Sequence, residues 1–455
     1  MENIVTIIGA GLAGSEAAWQ IAEAGYQVVL YEMRPSKPTK AHKTGLCAEL
    51  VCSNSFRGAA LSNAVGLLKE ELKVWNSLIM QAALFSEVPA GGCLAVDREK
   101  FSQYVDSKIK SHQNIKLLEG EITEIPESMP LIVASGPLTS RALADAIKKL
   151  TGENHLAFFD AISPILFEES LDYSHCFRQS RYDKGGDDYL NIPLDEREYY
   201  DFIGAINAAE KYTGNEEVEK DRLEELKPFE GCMPIEDMAL RGKDVARFGP
   251  LKPVGLRDPR SDKRPYAVIQ LRQDDTEGKM WSMVGMQTRM KRHEQEKIFR
   301  SIPALKNAEF VRYGSVHRNT FINSPKLLNS TLEFRTKPGL FFAGQVTGTE
   351  GYVESTSGGL LAGINVIRTL KKLPLLSLPN TTAMGALFEY ISSPTRTDFQ
   401  PMNISFGLMP SYLESQEKGP KHKRMGKTER REIASAKALE ITAEYKNSFL
   451  SDLSE

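Results

Sequence analysis

The segment Ile4-Val5-Thr6-Ile7-Ile8-Gly9-Ala10-Gly11-Leu12-Ala13-Gly14 constrains this chain more than any other stretch of its 455 residues. Ile4 to Ile8 predicts a short buried strand, and Ala18, Ile21 and Ala22 continue as one apolar face of a helix. The glycines between them fit a strand-to-helix turn. Gly9 permits the tight turn, Gly11 lets backbone approach a pyrophosphate, and Gly14 lets helix and strand pack closely. The helix N-terminus adds N–H donors and the positive end of a dipole. Gln27 to Tyr31 predicts the second strand, which Glu32 closes about twenty residues after the glycines, where a carboxylate can accept from ribose hydroxyls. The constellation predicts dinucleotide binding, through Gly9, Ala10, Gly11, Leu12, Ala13, Gly14 and Glu32, and serves NAD and FAD alike.

Two later segments favour FAD. Leu131-Ile132-Val133-Ala134-Ser135-Gly136 is a buried strand ending in a small-residue turn, similar to the Ala-Thr-Gly element of two-dinucleotide-fold flavoproteins, with Ser135 in place of the usual Thr. Gly339 to Gln345 is another strand running into a glycine turn, and Gly358 to Gly363 opens or threads the next helix. This resembles the second FAD motif of that fold, with Gln345 standing where most such proteins carry an Asp. The expected fold is α/β: an FAD-binding two-dinucleotide (Rossmann-like) domain with an inserted α+β domain. The expected division is 1–139 and 312–445 for the two parts of the FAD domain, 140–311 for the insertion, and 446–455 for a tail. Leu68, Leu72, Trp75, Ile79 and Ala82 keep helical spacing, Asp97 caps a helix through Ile109, and Ile115 to Ile125 is expected to form a hairpin.

Composition narrows the class. With 57 basic against 60 acidic residues the net charge is −3, which excludes a generally basic nucleic-acid coat. At 41% hydrophobic and 26% charged, the sequence is that of a globular protein with a substantial core. The first apolar run lacks a basic n-region and is broken by Glu16, so neither a signal peptide nor a membrane span is expected, and the expected location is cytoplasmic. Five cysteines in so long a chain make no disulfide framework. Metal binding is not expected, since no second Cys or His stands at ligand spacing from Cys47 and Cys52. Basic residues cluster at Lys418, Lys421, Lys423, Arg424, Lys427, Arg430 and Arg431, and again at Arg289, Lys291, Arg292 and His293. Each cluster reads as a solvated face or as a local phosphate-binding patch.

Cys52 lies in Ala48-Glu49-Leu50-Val51-Cys52-Ser53-Asn54-Ser55-Phe56-Arg57, and Cys232 in Phe229-Glu230-Gly231-Cys232-Met233-Pro234-Ile235-Glu236. With them stand Tyr31-Glu32-Met33-Arg34-Pro35, Asn63 to Lys69, His317-Arg318-Asn319-Thr320-Phe321 and Ala343 to Gly348. On these segments, spread over most of the chain, the sequence resembles the TrmFO family of folate- and FAD-dependent tRNA (uracil-5-)-methyltransferases. That family is itself similar to the GidA group of tRNA-modifying flavoproteins, which is longer and lacks the Val-Cys-Ser-Asn-Ser segment.

The resemblance implies FAD as cofactor, methylenetetrahydrofolate and NAD(P)H as co-substrates, and the T loop of tRNA as partner. No obligate protein partner is inferred. Carbon 5 of uracil is a poor nucleophile until something adds to carbon 6, and a thiolate suits that addition. Afterwards the carbon 5 proton must pass to a base, and the exocyclic methylene must receive a hydride, which reduced flavin can give. By resemblance Cys232 is the nucleophile and Cys52 the proton acceptor, with the exchanged assignment as the alternative. Gly344, Gln345 and Tyr352 are implied on the cofactor side, Tyr352 as an aromatic neighbour of the folate. His317, Arg318, Asn319, Arg289 and Arg292 are candidates for substrate contacts.

Two rivals share parts of this pattern. Cys47 and Cys52 are separated by four residues, the spacing of the redox pair in glutathione-reductase-like flavoproteins. That reading expects a second Gly-x-Gly-x-x-Gly for NADPH, which is not visible, so the nicotinamide donor would enter an open site over the flavin. The nearer rival is the same chemistry on a ribosomal RNA uridine.

Overall fold

In a computed structural model, residues 4–39, 41–153, 156–212, 233–261, 263–396, 399–409 and 426–454 are described, with backbone only at 156–160 and 317–318. The first half contains β1 (Ile4–Ile8), α1 (Leu12–Glu23), β2 (Gln27–Glu32), β3 (Ser55–Gly58), α2 (Ala64–Val74), α3 (Leu78–Phe85), β4 (Glu87–Val88), β5 (Cys93–Val96), α4 (Arg98–Ser111), β6 (Ile115–Glu119), β7 (Leu131–Val133) and α5 (Arg141–Thr151). Next come β8 (Leu156–Ile162), β9 (Ile165–Phe167), β10 (Phe177–Arg178), β11 (Tyr189–Leu194), α6 (Glu196–Ala208), α7 (Ile235–Arg241), α8 (Val245–Phe248), β12 (Ala267–Gln273), β13 (Met280–Met283), α9 (Arg292–Phe299) and β14 (Phe310–Arg312). The chain returns through β15 (Ser315–Phe321) to β16 (Leu340–Phe342), α10 (Tyr352–Leu370), α11 (Ala383–Ser392) and α12 (Lys427–Ser454).

The first sheet runs β16-β7-β1-β2-β6 with every neighbouring pair parallel. Parallel strands are buried on both faces, which is why β7 and β16 read as unbroken apolar runs: Leu131, Ile132, Val133, Leu340, Phe341 and Phe342 are all inaccessible to solvent. The turns after β1, β7 and β16 lie side by side at the carboxyl edge of this sheet, where open α/β sheets take ligands. A second, antiparallel sheet, β10-β11-β12-β13-β9-β14, has its own core around Leu166, Tyr199, Trp281 and Phe299. The antiparallel pair β8 and β15 carries the chain out to that sheet and back.

The second core draws on Leu166 to Ala308, whereas Leu143 and Ile147 of α5 belong to the first. The segment 446–455, expected as a tail, continues α12 to Ser454, and Arg368 pairs with Asp452 at 2.5 Å. The expected hairpin is absent among the described residues: β6 lies parallel to β2, pairing Val28 with Ile115. The apolar stripe from Leu68 to Ala82 is two helices, broken at Asn76 (φ +57°), where Ser77 accepts from the Met80 amide and starts α3.

Two buried carboxylates fix helix starts. Glu16 accepts from Ser77 Oγ at 2.7 Å and the Ile79 amide at 3.1 Å. Glu71 accepts from the amides of Ala383 and Met384 at 2.7 and 2.9 Å, joining α2 to α11. Burial pushes both carboxyls up, Glu71 to about 7, against the opposing pull of those hydrogen bonds. Among the described residues no helix is long and apolar enough to cross a membrane.

Candidate functional site

The three glycines after β1 have different surroundings. A Cβ on Gly9 (φ +100°) would lie 2.5 Å from the Ala134 carbonyl oxygen, and one on Gly14 would lie 1.8 Å from the Gly9 oxygen. Gly11 has ordinary φ and nothing within 4 Å of that position. The outer two are therefore required by the chain's packing on itself, while the middle one faces open space. Opposite, α10 lies hard against α1: a Cβ on Gly359 would sit 2.1 Å from the Ala13 oxygen. The run Gly358 to Gly363 thus threads the helix and does not open it.

The open space is a cleft at the carboxyl edge of the parallel sheet. Gly9, Gly11, Leu12, Ala13, Glu32, Gly344, Gln345 and Tyr352 line it; Ala10 and Gly14 stand behind the wall. Ala10 contributes its amide, which donates to Glu32 Oε2 at 3.0 Å. Glu32 Oε1 accepts from the Arg34 amide and Nε at 3.0 and 2.9 Å. Burial would raise the Glu32 pKa, but the Arg34 hydrogen bonds and charge outweigh it and hold the carboxyl below its ordinary range. Arg34 is 3% exposed and reaches on to Glu49 at 3.3 Å. The sequence reading assigned Arg34 no role, although its segment carried part of the family resemblance.

Cys52 stands beside this cavity on a segment held from several sides. Its amide donates to the Tyr352 hydroxyl at 2.9 Å, and its carbonyl accepts from Arg312 at 2.8 Å. Arg312 also reaches the Val51 carbonyl at 3.3 Å, and Arg98 the Leu50 carbonyl at 3.2 Å. Arg272 donates to Ser53 Oγ at 2.8 Å and to Asn54 Oδ1 at 3.0 Å. Asp274 balances Arg98 at 3.1 Å. Burial, then repulsion from Arg98, lowers the Arg312 pKa, whereas Asp274 overcomes burial and raises that of Arg98. Both guanidinium groups lie within electrostatic reach of the Cys52 sulfur. The tilted pair Phe56 and Tyr352, 5.5 Å apart, closes the wall. None of Arg98, Arg272 or Arg312 carries a local sequence signal; each is a lone arginine whose partner is remote in the chain.

The spacing of Cys47 and Cys52 does not make a redox pair. Both are free thiols, and Cys47 is fully buried, its pKa pushed up by burial and then by Asp106. A buried neutral thiol is a poor nucleophile. Cys176 is likewise buried and pushed up to about 12.

The other expected site residues are not all gathered here. Cys232 lies outside the described residues, as do Lys418, Lys421, Lys423 and Arg424, and the side chains of His317 and Arg318 are not described. Asn319 is 3% exposed within β15. The Arg289 guanidinium, expected to meet substrate, is committed to Asp237 at 2.6 Å, and its amide donates to Glu236 at 2.6 Å. Arg292 points outward over the ring of Tyr313 at 4.2 Å, one residue from Arg312. One exposed trio, Glu210, His293 and Glu294, brings three potential metal ligand atoms within 4.8 Å, but Lys291 already pairs with Glu210 at 2.6 Å.

Residues 4–374 match the family model described as GIDA, glucose inhibited division protein A. The chain is 54% identical, over 97% of its length and 98% of the relative, to the methylenetetrahydrofolate--tRNA-(uracil-5-)-methyltransferase TrmFO of Natranaerobius thermophilus. It belongs to the TrmFO branch of the GidA family. The TrmFO of Heliobacterium modesticaldum is 55% identical over 96% of each chain. The solved structure of Aquifex aeolicus GidA matches 99% of this chain and 73% of its own with a TM-score of 0.69 at 16% identity, a likeness of fold. The FAD-type, two-dinucleotide α/β architecture expected from the glycine turns is the one this family has.

Proposed function

We propose that this chain methylates carbon 5 of the T-loop uridine of tRNA in the cytoplasm, with methylenetetrahydrofolate as carbon donor and reduced FAD as hydride source. The observation that carries the proposal is the bond between the Cys52 amide and the Tyr352 hydroxyl, which ties the backbone of a free cysteine to a residue lining the cleft at the glycine turns.

The residues fit FAD. Bare Gly11 and Gly136, with nothing within 4 Å of a Cβ at either, leave room for backbone to approach a pyrophosphate. Glu32 uses three of its four acceptor sites on Ala10 and Arg34 and keeps one, on Oε2, for a ribose hydroxyl. Gly344, Gln345 and Tyr352 line the same cleft and would border the cofactor. When bound, FAD supplies hydride acceptance from NAD(P)H and hydride donation to the transferred carbon.

In the reaction proposed for the side chains, the Cys232 sulfur adds to carbon 6 and the ring electron pair moves toward the carbon 4 oxygen. Carbon 5 then attacks the donor methylene, Cys52 as thiolate takes the carbon 5 proton, and the electron pair so released expels the donor nitrogen to leave an exocyclic methylene. Once a hydride reaches the exocyclic carbon, the returning pair expels the Cys232 sulfur and restores the pyrimidine. Tyr352 and Arg312 keep Cys52 in place through its backbone, and leave its thiol free to exchange a proton.

The test supplies labelled methylenetetrahydrofolate, NADPH and a T-arm RNA, and looks for label in 5-methyluridine. Label confined to a ribosomal RNA fragment would redirect the activity to that substrate, and label in neither RNA would end the proposal. RNA containing 5-fluorouridine should trap a covalent complex that Cys232→Ala cannot form.

A further inference from the structure

The inserted domain carries an exposed run of large apolar side chains that its own core does not use. Phe248 is 78% exposed, Leu240 62% and Tyr182 60%, with Val245 and Val254 also exposed. Four of them lie within the fifteen residues Leu240 to Val254, and Tyr182 packs on the next residue, Gly255. Val245 packs at Gly242, beside Leu240, where a Cβ would lie 3.2 Å from its Cγ2. Phe248 ends α8, and the chain proceeds through Val254 to Gly255, against which the Tyr182 ring lies flat, three of its atoms 3.1 Å from where a Cβ would be.

The strip is held rigid and is positively charged. The Tyr182 amide donates to the Gly255 carbonyl at 2.9 Å, and Arg181 donates to the Val254 carbonyl at 2.8 Å. Tyr182 itself sits at φ +57°, a backbone conformation that side-chain-bearing residues seldom adopt. Arg247 is fixed by its bond to the Tyr266 carbonyl at 2.9 Å, with its guanidinium 5.8 Å from the Phe248 ring. Between Leu240 and Arg257 there are five basic residues and one acid, Asp244, which accepts from the Tyr200 hydroxyl at 3.0 Å. Glu236 and Asp237 at the start of α7 are engaged with Arg289. Exposed rings set among fixed cations are the chemistry that takes single-stranded or loop RNA, whose bases stack on aromatics while phosphates meet the charges.

The strip also follows the Cys232 segment closely in sequence. Seven-residue α7 begins three residues after Cys232, and at 1.5 Å per residue it is about 10 Å long, the span of roughly three nucleotides. At its other end the loop carrying Tyr182 meets the cofactor domain, where the Gly91 amide donates to Asp188 at 2.7 Å. We infer that Phe248 and Tyr182 are stacking platforms for unpaired nucleotides of the RNA substrate, and that the basic residues between Leu240 and Arg257 hold its phosphates. This inference rests on the RNA-methylating reading above and assigns to it a docking surface.

The experiment compares the wild-type holoenzyme with Phe248→Ala, with Phe248→Ala/Tyr182→Asn, and with Lys252→Gln, using a T-arm RNA hairpin. Asn at 182 tolerates the left-handed backbone. Each ring lost should weaken RNA binding roughly 5- to 150-fold, the range for a single base-on-aromatic stack, and raise KM more than it lowers kcat. FAD content and melting temperature should hold. The salt dependence of binding should keep its slope in the ring variants and lose about 0.7 to 0.9 of a unit in Lys252→Gln. Unchanged RNA affinity in the double variant would overturn the inference. So would a wild-type dimer that Phe248→Ala converts to monomer at unchanged RNA affinity, since the strip would then be covered by a second copy. A wild type that neither binds nor methylates the hairpin would instead defeat the tRNA reading.

Discussion

Gly11 and Gly359 offer a paired test of what the glycines are for. An alanine at Gly359 places its Cβ 2.1 Å from the Ala13 oxygen, and moving it to 3.0 Å, the nearest approach real Cβ atoms make, needs α1 and α10 to separate by 3.0 − 2.1 = 0.9 Å. Alanine gains about 1 kcal/mol of helix propensity over glycine, but overpacking of this kind costs about 1–3 kcal/mol, and here the clash is with backbone that cannot rotate away. An alanine at Gly11 meets nothing within 4 Å and keeps an allowed φ. Its only cost to the apoprotein is that of a poorer N-cap, about 1 kcal/mol or less. The cofactor distinguishes them: FAD at 100 times its Kd should stabilise the wild type by about 2.7 kcal/mol. Gly11→Ala should lose most of that increment while its apoprotein melts close to the wild type. Gly359→Ala should melt lower with or without FAD. The assay is thermal melting of apoprotein and FAD-titrated protein, with bound flavin measured by absorbance. Wild-type FAD affinity in Gly11→Ala would refute the argument, because the space over Gly11 would then not be where a pyrophosphate lies.

Other consequences are independent of that one. Tyr352→Phe leaves the Cys52 amide without its acceptor, a loss of about 1–3 kcal/mol for a half-buried donor, and should depress methyl transfer more than FAD binding in parallel turnover and flavin-uptake measurements. Cys47→Ala should retain methyl transfer, because its buried thiol does not face the cavity, while Cys52→Ala should abolish it; equal loss in both would revive a paired-thiol chemistry. Glu71 has a folded pKa of about 7 against an ordinary 4.5, raised by burial. The folded state therefore keeps a proton that the unfolded chain has released, and stability falls as pH rises from 4.5 through 7. The fall is about 3 kcal/mol at most, and in melting curves across that window Glu71→Gln should show a shallower slope than wild type.

The parts legible in the sequence are those whose signal is local. The turn at Gly9 to Gly14 is set by backbone requirements within six residues, the partner strands β7 and β16 by their apolar runs, and the α4 cap by Asp97, whose side chain accepts from the Glu99 and Lys100 amides. The breaks were less visible. Asn76 adopts a left-handed backbone in the middle of a good helical stripe, and nothing in the periodicity of Leu68, Leu72, Trp75, Ile79 and Ala82 records it, because both helices bury the same face. The hairpin expectation failed for a related reason. An apolar stretch such as Ile115 to Ile125 gives strand character without naming a partner, and the free edge of β2 competes successfully for β6.

In the proposed reaction, the clamp on Cys52 ties the inserted domain to the chemistry. Arg272 and Asp274 come from the β12 end and Arg312 from the end of β14, so the second sheet delivers its charges to Leu50-Val51-Cys52-Ser53-Asn54 at one place. Asn54 answers by donating to the carbonyls of Val96 and Gln273, at 3.0 Å each, one from either domain. A segment with its carbonyls and amides so engaged cannot swing its thiol toward a distant base. The backbone that carries the thiol is fixed by the meeting of the two domains, and in the proposed reaction the conformational work of bringing the uridine out of its stack falls to the RNA and to the surface that receives it. In the proposed docking, the exposed rings of Phe248 and Tyr182 on the inserted domain receive the neighbours of that base.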